Sequence, residues 1–242
     1  VSLPLFNPNK SGSADAESLR NNVTQSVYEL GSTFKPLTVA EAIDSGAITD
    51  LGRRYDATGP IQVGRFQITD THPQRRWLNT PETLVHSSNI ATARIADELG
   101  SERAQAFYRK LGFGEPPHIE LRERGRTLWP TSWGRVTNMT VAYGHGIAVT
   151  PLHLASAYAA IVNGGTWRPA TLMKVEPGKA AKGRRIISPQ TSAVMRKLLR
   201  LVVTDGTGKM ANVPGFRVGG KTGTAEKPGI GGYSKTINVS TF

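Results

Sequence analysis

Proline restricts where helices in this chain can begin. It has no amide hydrogen and holds φ near the helical value, so it suits a first helical turn and disrupts a later one. A serine or threonine directly before it supplies a capping oxygen. That pair stands ahead of three helical patterns. Thr150-Pro151 opens an apolar run through Val162 that stops ahead of Gly164-Gly165, Ser188-Pro189 opens one reaching about Val203, and Thr80-Pro81-Glu82 opens a third. Ser101-Glu102 starts a shorter helix ended by Gly112.

Strand signals are fewer. Pro60 to Ile68 reads as a hairpin turning at Val63-Gly64, and Leu172–Glu176 is expected to pair with Arg184–Ile187 across Pro177-Gly178. Phe216 to Ala225 reads as a strand, followed by a glycine-rich stretch (Gly229, Gly231, Gly232) and a second strand over Thr236–Phe242. Val1-Ser2-Leu3-Pro4 reads as the exit of a further strand. With no internal repeat and no clean linker, residues 1–242 are expected to form one α+β domain, a helical subdomain plus an antiparallel sheet that is incomplete in this chain. The edge of a late strand short of neighbours is expected to be disordered, paired with a neighbouring molecule, or displaced from its functional position.

Composition removes several chemistries. A hydrophobic content of 38% is enough for a substantial core. The absence of cysteine excludes disulfides, thiolate metal sites and a cysteine nucleophile. The five histidines show neither H-E-x-x-H nor an i,i+4 pair, so no metal or other cofactor is expected. No apolar run approaches the ~18–20 residues of a membrane span. The net charge of +12 suits anionic partners, but the basic residues lie scattered in pairs such as Arg53-Arg54 and Arg184-Arg185, as on a solvated surface. No nucleic-acid-binding motif accompanies them.

Three short motifs carry chemistry. Ser32-Thr33-Phe34-Lys35 precedes a helical pattern (Leu37, Val39, Ala40, Ala42, Ile43) ending at Ser45-Gly46, so serine and lysine share a face at a helix start. A neutral lysine there can take the serine proton, and the helix dipole or a second cation favours that neutral form. With sixteen serines and eleven lysines the S-x-x-K pattern arises by chance about 0.7 times, so it is weak alone. Ser87-Ser88-Asn89 lies at a break between two helical stretches and also reads as an ordinary N-cap. Lys221-Thr222-Gly223-Thr224 lies on the late strand and also reads as a glycine-rich edge.

The order of the three is that of penicillin-binding proteins and serine β-lactamases. The stretches Val27–Pro36, Trp77–Asp97, Gly144–Pro151 and Val218–Lys227 sharpen the likeness. From Ser2 to Phe242 the chain resembles the transpeptidase domain of class B penicillin-binding proteins, most closely the division-specific alphaproteobacterial type.

The resemblance implies a D,D-transpeptidase that cross-links peptidoglycan stem peptides through a serine acyl-enzyme and is trapped by β-lactams. It implies Ser32 as nucleophile and Lys35 as its base. Ser87 would relay a proton to the leaving nitrogen, Asn89 would hold Lys35 and the substrate backbone, and Lys221 would supply positive charge. Thr222, Gly223 and Thr224 would bind substrate, and the backbone N–H groups of Ser32 and Thr224 would form the oxyanion hole. His145, in a Gly-His-Gly turn, is expected to make a structural hydrogen bond. The family's location, the bacterial inner membrane with the catalytic domain in the periplasm, implies division-machinery membrane proteins as partners. It also implies an anchor, a pedestal and flanking strands beyond residues 1–242.

Two alternatives share the motifs, a class D-like serine β-lactamase and a non-catalytic β-lactam sensor. Asn89 and Tyr143-Gly144-His145 depart from the class D pattern, and none of the glutamates after Ser87 has an asparagine four positions later, as a class A deacylating base would.

Overall fold

A helix that is apolar or small round most of its circumference must be buried there. Such a helix, α1 (Lys35–Asp44), forms the centre of the molecule, with Leu37, Val39, Ala40 and Ala42 fully buried and only its last turn, at Asp44, exposed. The computed structural model describes residues 2–229 and 232–242. Val1 and Gly231, which belong to two of the strand expectations, lie outside the described residues.

Around α1 pack α2 (Thr80–Val85), α3 (Asn89–Leu99), α4 (Ser101–Lys110), α6 (Pro151–Val162) and α7 (Pro189–Thr204), while α5 (Arg135–Val141) packs on α3 and α4. The strands form two-stranded antiparallel pairs. β1 (Arg54–Ala57) pairs with β4 (Arg76–Asn79), and β2 (Ile61–Val63) with β3 (Phe66–Ile68). β5 (Thr166–Trp167) pairs with β6 (Arg184–Arg185), and β7 (Gly223–Gly229) with β8 (Gly232–Thr241).

Long-range contacts fix both ends of α1. Phe34, directly before it, packs against Tyr108 and Phe113 with ring centroids 5.9 and 5.6 Å away. Such aromatic pairs add ~0.5–1.5 kcal/mol each beyond burial. At the other end Asp44 Oδ1 accepts from Ser188 N (2.7 Å) and Thr191 Oγ1 (2.8 Å), which ties α1 to the start of α7. The apolar stripe of α7, with Met195, Leu198, Leu199 and Val202 buried, then covers one side of the core.

The caps at Thr150 and Ser188 lie where the sequence places them, each accepting from the backbone three residues on. Four readings need correction. Asn79, not Thr80, caps α2, because Asn79 and Glu82 form a reciprocal capping box and Thr80 is the first helical residue. Leu172–Glu176 is not a strand. Its apolar side chains Leu172 and Met173 are exposed, and Thr166–Trp167 takes the pairing with Arg184–Arg185, where buried Trp167 anchors the ladder under the Arg184 guanidinium. Residues 216–222 precede the late strand, because its partner β8 ends opposite Gly223 and offers them no ladder. Residues 2–4 show no strand. Among the described residues, no helix is long and apolar enough to cross a membrane.

Candidate active site

Residues 31–34 form a 3₁₀ turn leading into α1, with Ser32 at its second position and Lys35 as the first residue of the α-helix. The turn is held from several sides. Thr33 Oγ1 donates to Leu30 O (2.8 Å), Tyr158 Oη donates to Thr33 O (2.8 Å), and Gly31 N donates to Gly144 O (3.3 Å). Backbones approach so closely here that side chains would not fit. A Cβ on Gly31 would lie 2.5 Å from Thr224 O, and one on Gly223 would lie 2.5 Å from Leu30 O. The glycine of the K-T-G motif is therefore required by packing against the protein's own backbone. β7 is thereby seated on the Ser32 turn, contrary to the displacement named among its expected outcomes; two glycines allow a contact that makes up for a short ladder.

Four polar side chains from three distant segments form a chain. Lys35 Nζ lies 2.8 Å from Ser32 Oγ and 3.1 Å from Ser87 Oγ, and Lys221 Nζ lies 2.9 Å from Ser87 Oγ on its other side. Lys35 Nζ also donates to Ser87 O, and Lys221 Nζ to Thr222 O (2.9 Å). Both lysines are fully buried. Burial, and then the charge of Lys221, hold the Lys35 amine well below the ordinary lysine value, with Asp70 pulling the other way. Burial pushes Lys221 down to about 8. The lysine beside Ser32 is thus biased toward its uncharged form, while the one beyond Ser87 still carries most of its charge at neutral pH.

Ser87 reaches this position through an unusual helix end. Ser88 N donates to Thr83 O (3.0 Å) and Ser87 N to Leu84 O (3.2 Å), the bonding of a Schellman cap with Ser87 at the left-handed position, φ +57°. Glycine is the usual residue there, and the left-handed conformation costs any other about 1–2 kcal/mol. In exchange the turn directs both the Ser87 carbonyl and its hydroxyl onto Lys35.

The remaining expected residues differ in how they meet this chain. Asn89 donates its amide to Thr69 O (2.8 Å) rather than holding Lys35, whose bonds go to Ser32 and Ser87. Thr222 Oγ1 lies 2.5 Å from Thr207 Oγ1 and 3.4 Å from Lys221 Nζ. Thr224 is exposed and lines a 180 Å³ cleft together with Ser32, Asn89, Tyr143 and His145. A larger cavity of 660 Å³, bordered by His118, Arg124 and Arg168, shares no residue with this cleft and contains none of the lysine–serine chain.

Sequence reasoning missed two carboxylates. Glu29 Oε1 accepts from Gly146 N (3.0 Å) and its Oε2 lies 3.3 Å from His145 Nδ1, so it secures the Gly-His-Gly turn at the cleft. Asp70 sits beneath Ser88 and Asn89. Neither stands inside a motif, and only their contacts reveal them.

The arrangement suits acyl transfer, with a serine hydroxyl, a buried lysine, a second serine hydroxyl and a second buried lysine in sequence. Comparison with known proteins agrees. All 242 residues match the family model described as the penicillin binding protein transpeptidase domain. A probable peptidoglycan D,D-transpeptidase FtsI of Caulobacter vibrioides is 42% identical across the whole chain and 42% of its own length. The FtsI of Escherichia coli is 30% identical over 95% of the chain and 39% of its own. The chain thus spans about two-fifths of the curated relatives it matches. The transpeptidase domain of Burkholderia pseudomallei penicillin-binding protein 3 superposes with a TM-score of 0.85 at 32% identity, covering 92% of this chain and 68% of that one. Penicillin-binding protein 3 of Mycobacterium tuberculosis, solved with aztreonam, gives 0.86 at 29% identity over 96% of this chain and 56% of that one.

Proposed function

This chain belongs to the penicillin-binding protein transpeptidase family, and on that premise we propose that it carries out peptidoglycan D,D-transpeptidation in cell division and is inhibited by β-lactams. The observation that carries the reading is the chain Ser32–Lys35–Ser87–Lys221, with successive contacts of 2.8, 3.1 and 2.9 Å. Neutral Lys35 takes the Ser32 proton as Oγ attacks the carbonyl of the penultimate D-Ala. The oxyanion is received by the backbone N–H groups of Ser32 and Thr224. As the C–N bond breaks, the proton passes from Lys35 through Ser87 to the departing D-Ala nitrogen, leaving an ester on Ser32. The amine of a second stem peptide then attacks that ester; its surplus proton passes through Ser87 and Lys35 to Ser32 Oγ as the C–O bond breaks, which forms the new amide and restores the free serine.

Lys221 keeps its charge beside Ser87 and, with Thr222 and Thr224, attracts the terminal carboxylate. Gly223 brings β7 close enough to the Ser32 turn for that contact. Asn89, at the cleft, is placed to meet the substrate backbone, and His145 shapes the cleft through Glu29. A β-lactam presents a reactive carbonyl in the same position, and its ring nitrogen stays tethered to the adduct. The family relation supports a place on the bacterial inner membrane with this domain in the periplasm, among division-machinery membrane proteins.

Mass spectrometry after incubation with a labelled penicillin tests the reading. One acyl group on Ser32, lasting many minutes and absent in Ser32→Ala, is the expected result. Release within seconds with turnover of a chromogenic cephalosporin would instead identify a class D-like β-lactamase, and absence of an adduct would defeat the catalytic reading.

A further inference from the structure

Asp70 lies in the loop after β3, and its carboxylate is buried. Its Oδ1 accepts from Asn89 N (2.5 Å) and Ile90 N (3.0 Å), and its Oδ2 accepts from Ser88 Oγ (2.7 Å). Ser88 Oγ in turn accepts from Ala91 N (3.0 Å), so carboxylate and hydroxyl together satisfy the free N–H groups that open α3. Ser88, Asn89 and Ile90 directly follow Ser87, a non-glycine residue in the left-handed conformation. Upstream, that conformation is held by the cap bonds from Ser87 and Ser88 back into α2. Downstream, the ties to a point outside the two helices are the three bonds to the Asp70 carboxylate and one from Asn89 Nδ2 to the neighbouring Thr69 O.

We propose that Asp70 is a positioning residue for acylation, clamping Ser88, Asn89 and Ile90 so that the strained Ser87 turn keeps its hydroxyl between the two lysines. The proposal rests on the transpeptidase reading above and adds to it a residue that touches neither substrate nor nucleophile. An isolated helix cap would serve α3 equally well in any neighbourhood. Here the capped helix start is joined without a spacer to a residue whose conformation is costly and whose oxygens contact both buried lysines. Release of the clamp allows Ser87 to relax toward an ordinary helix end, which carries its hydroxyl away from them.

The carboxylate has a second effect through its charge. The charged groups acting on Lys35 are Lys221, from the segment before β7, and Asp70; its hydrogen-bond partners are the hydroxyls of Ser32 and Ser87 and the Ser87 carbonyl. Asp70 favours the protonated lysine and Lys221 opposes it. Removing the Asp70 charge therefore lowers the Lys35 value further and moves the acid limb of the acylation rate to lower pH. Loss of folding alone moves no such limb.

The test uses the 242-residue chain, a fluorescent penicillin and acylation rates measured against pH. Asp70→Asn keeps the volume and the Oδ1 acceptor while removing the charge. The expected result is a rate about tenfold lower at the optimum with an acid limb shifted to lower pH, and a loss of less than about twofold in a Ser87→Ala background, because the clamp acts through Ser87. Ser88→Ala removes one of the three bonds to Asp70, together with the cap bond from Ala91 N, and leaves the charge. It should slow acylation two- to threefold with the acid limb unmoved, which keeps the proposal testable if Asp70→Asn does not fold. Wild-type rate and limb in Asp70→Asn, an equal loss with and without Ser87, or a wild-type rate in Ser88→Ala would each overturn the proposal and leave the transpeptidase reading standing. Failure of the wild-type chain to acquire an adduct on Ser32 would remove both.

Discussion

Gly144 and Gly146 flank His145 with nearly the same backbone conformation, φ +81° and +82°, yet their surroundings differ. An alanine at either position pays the left-handed penalty of about 1–2 kcal/mol. At Gly146 that is the whole cost, since the nearest atom to a new Cβ is Thr140 Oγ1 at 3.8 Å. At Gly144 the Cβ would lie 2.1 Å from Gly31 O and 2.7 Å from Gly31 N and C. Ordinary contact of about 3.5 Å then requires the Gly31 backbone to move by more than about 1 Å. Overpacking of this kind adds ~1–3 kcal/mol, for a total of roughly 2–5 kcal/mol. Gly31 adjoins Ser32, and a misplacement of about 1 Å at reacting groups costs about 10²-fold in rate. Gly144→Ala should therefore acylate about a hundredfold more slowly, while Gly146→Ala stays within about threefold of wild type. Urea denaturation and fluorescent-penicillin labelling of the two variants side by side measure both quantities. Equal slowing in the two, or a wild-type rate in Gly144→Ala, would refute the argument that backbone contact between the two turns positions the nucleophile.

Two further expectations concern protons. The acylation rate should climb as pH rises through the depressed Lys35 value, then fall past about pH 8 as Lys221 loses its charge; Lys35→Arg should be as inactive as Lys35→Ala, because arginine stays protonated. A rate still rising at pH 10, or a tenth of wild-type acylation in Lys35→Arg, would contradict the assignment of Lys35 as base. His153 completes the cap of α6 and its Nε2 donates to Glu115 O, and burial pushes it down to about 4 from 6.5. A depressed histidine contributes stability that is full above its unfolded value and lost as pH falls through the folded one, here between 6.5 and about 4 and roughly 3 kcal/mol in size. His153→Gln should show that much less acid destabilisation between pH 7 and pH 4 in urea titrations, and an unchanged difference would rule the histidine out as its source.

Local chemistry made much of this protein readable before folding. The caps at Thr150 and Ser188, the hairpin at Val63-Gly64 and the serine–lysine pair at a helix start depend on neighbours within four residues, and the structure shows them in place. The strand boundaries at Leu172 and Phe216 were not readable, because a strand exists only where a partner ladder and a buried face are supplied from elsewhere. The same division runs through the site. Its motif residues stand in the sequence as three fragments with ordinary uses of their own. The 2.8–3.1 Å chain through them, the serine in a glycine's conformation, the glycine contacts that seat β7 and the carboxylates Asp70 and Glu29 arise only when segments tens of residues apart are packed together. Burial, which shifts both lysines, belongs to no residue alone; it is a property of everything folded around them.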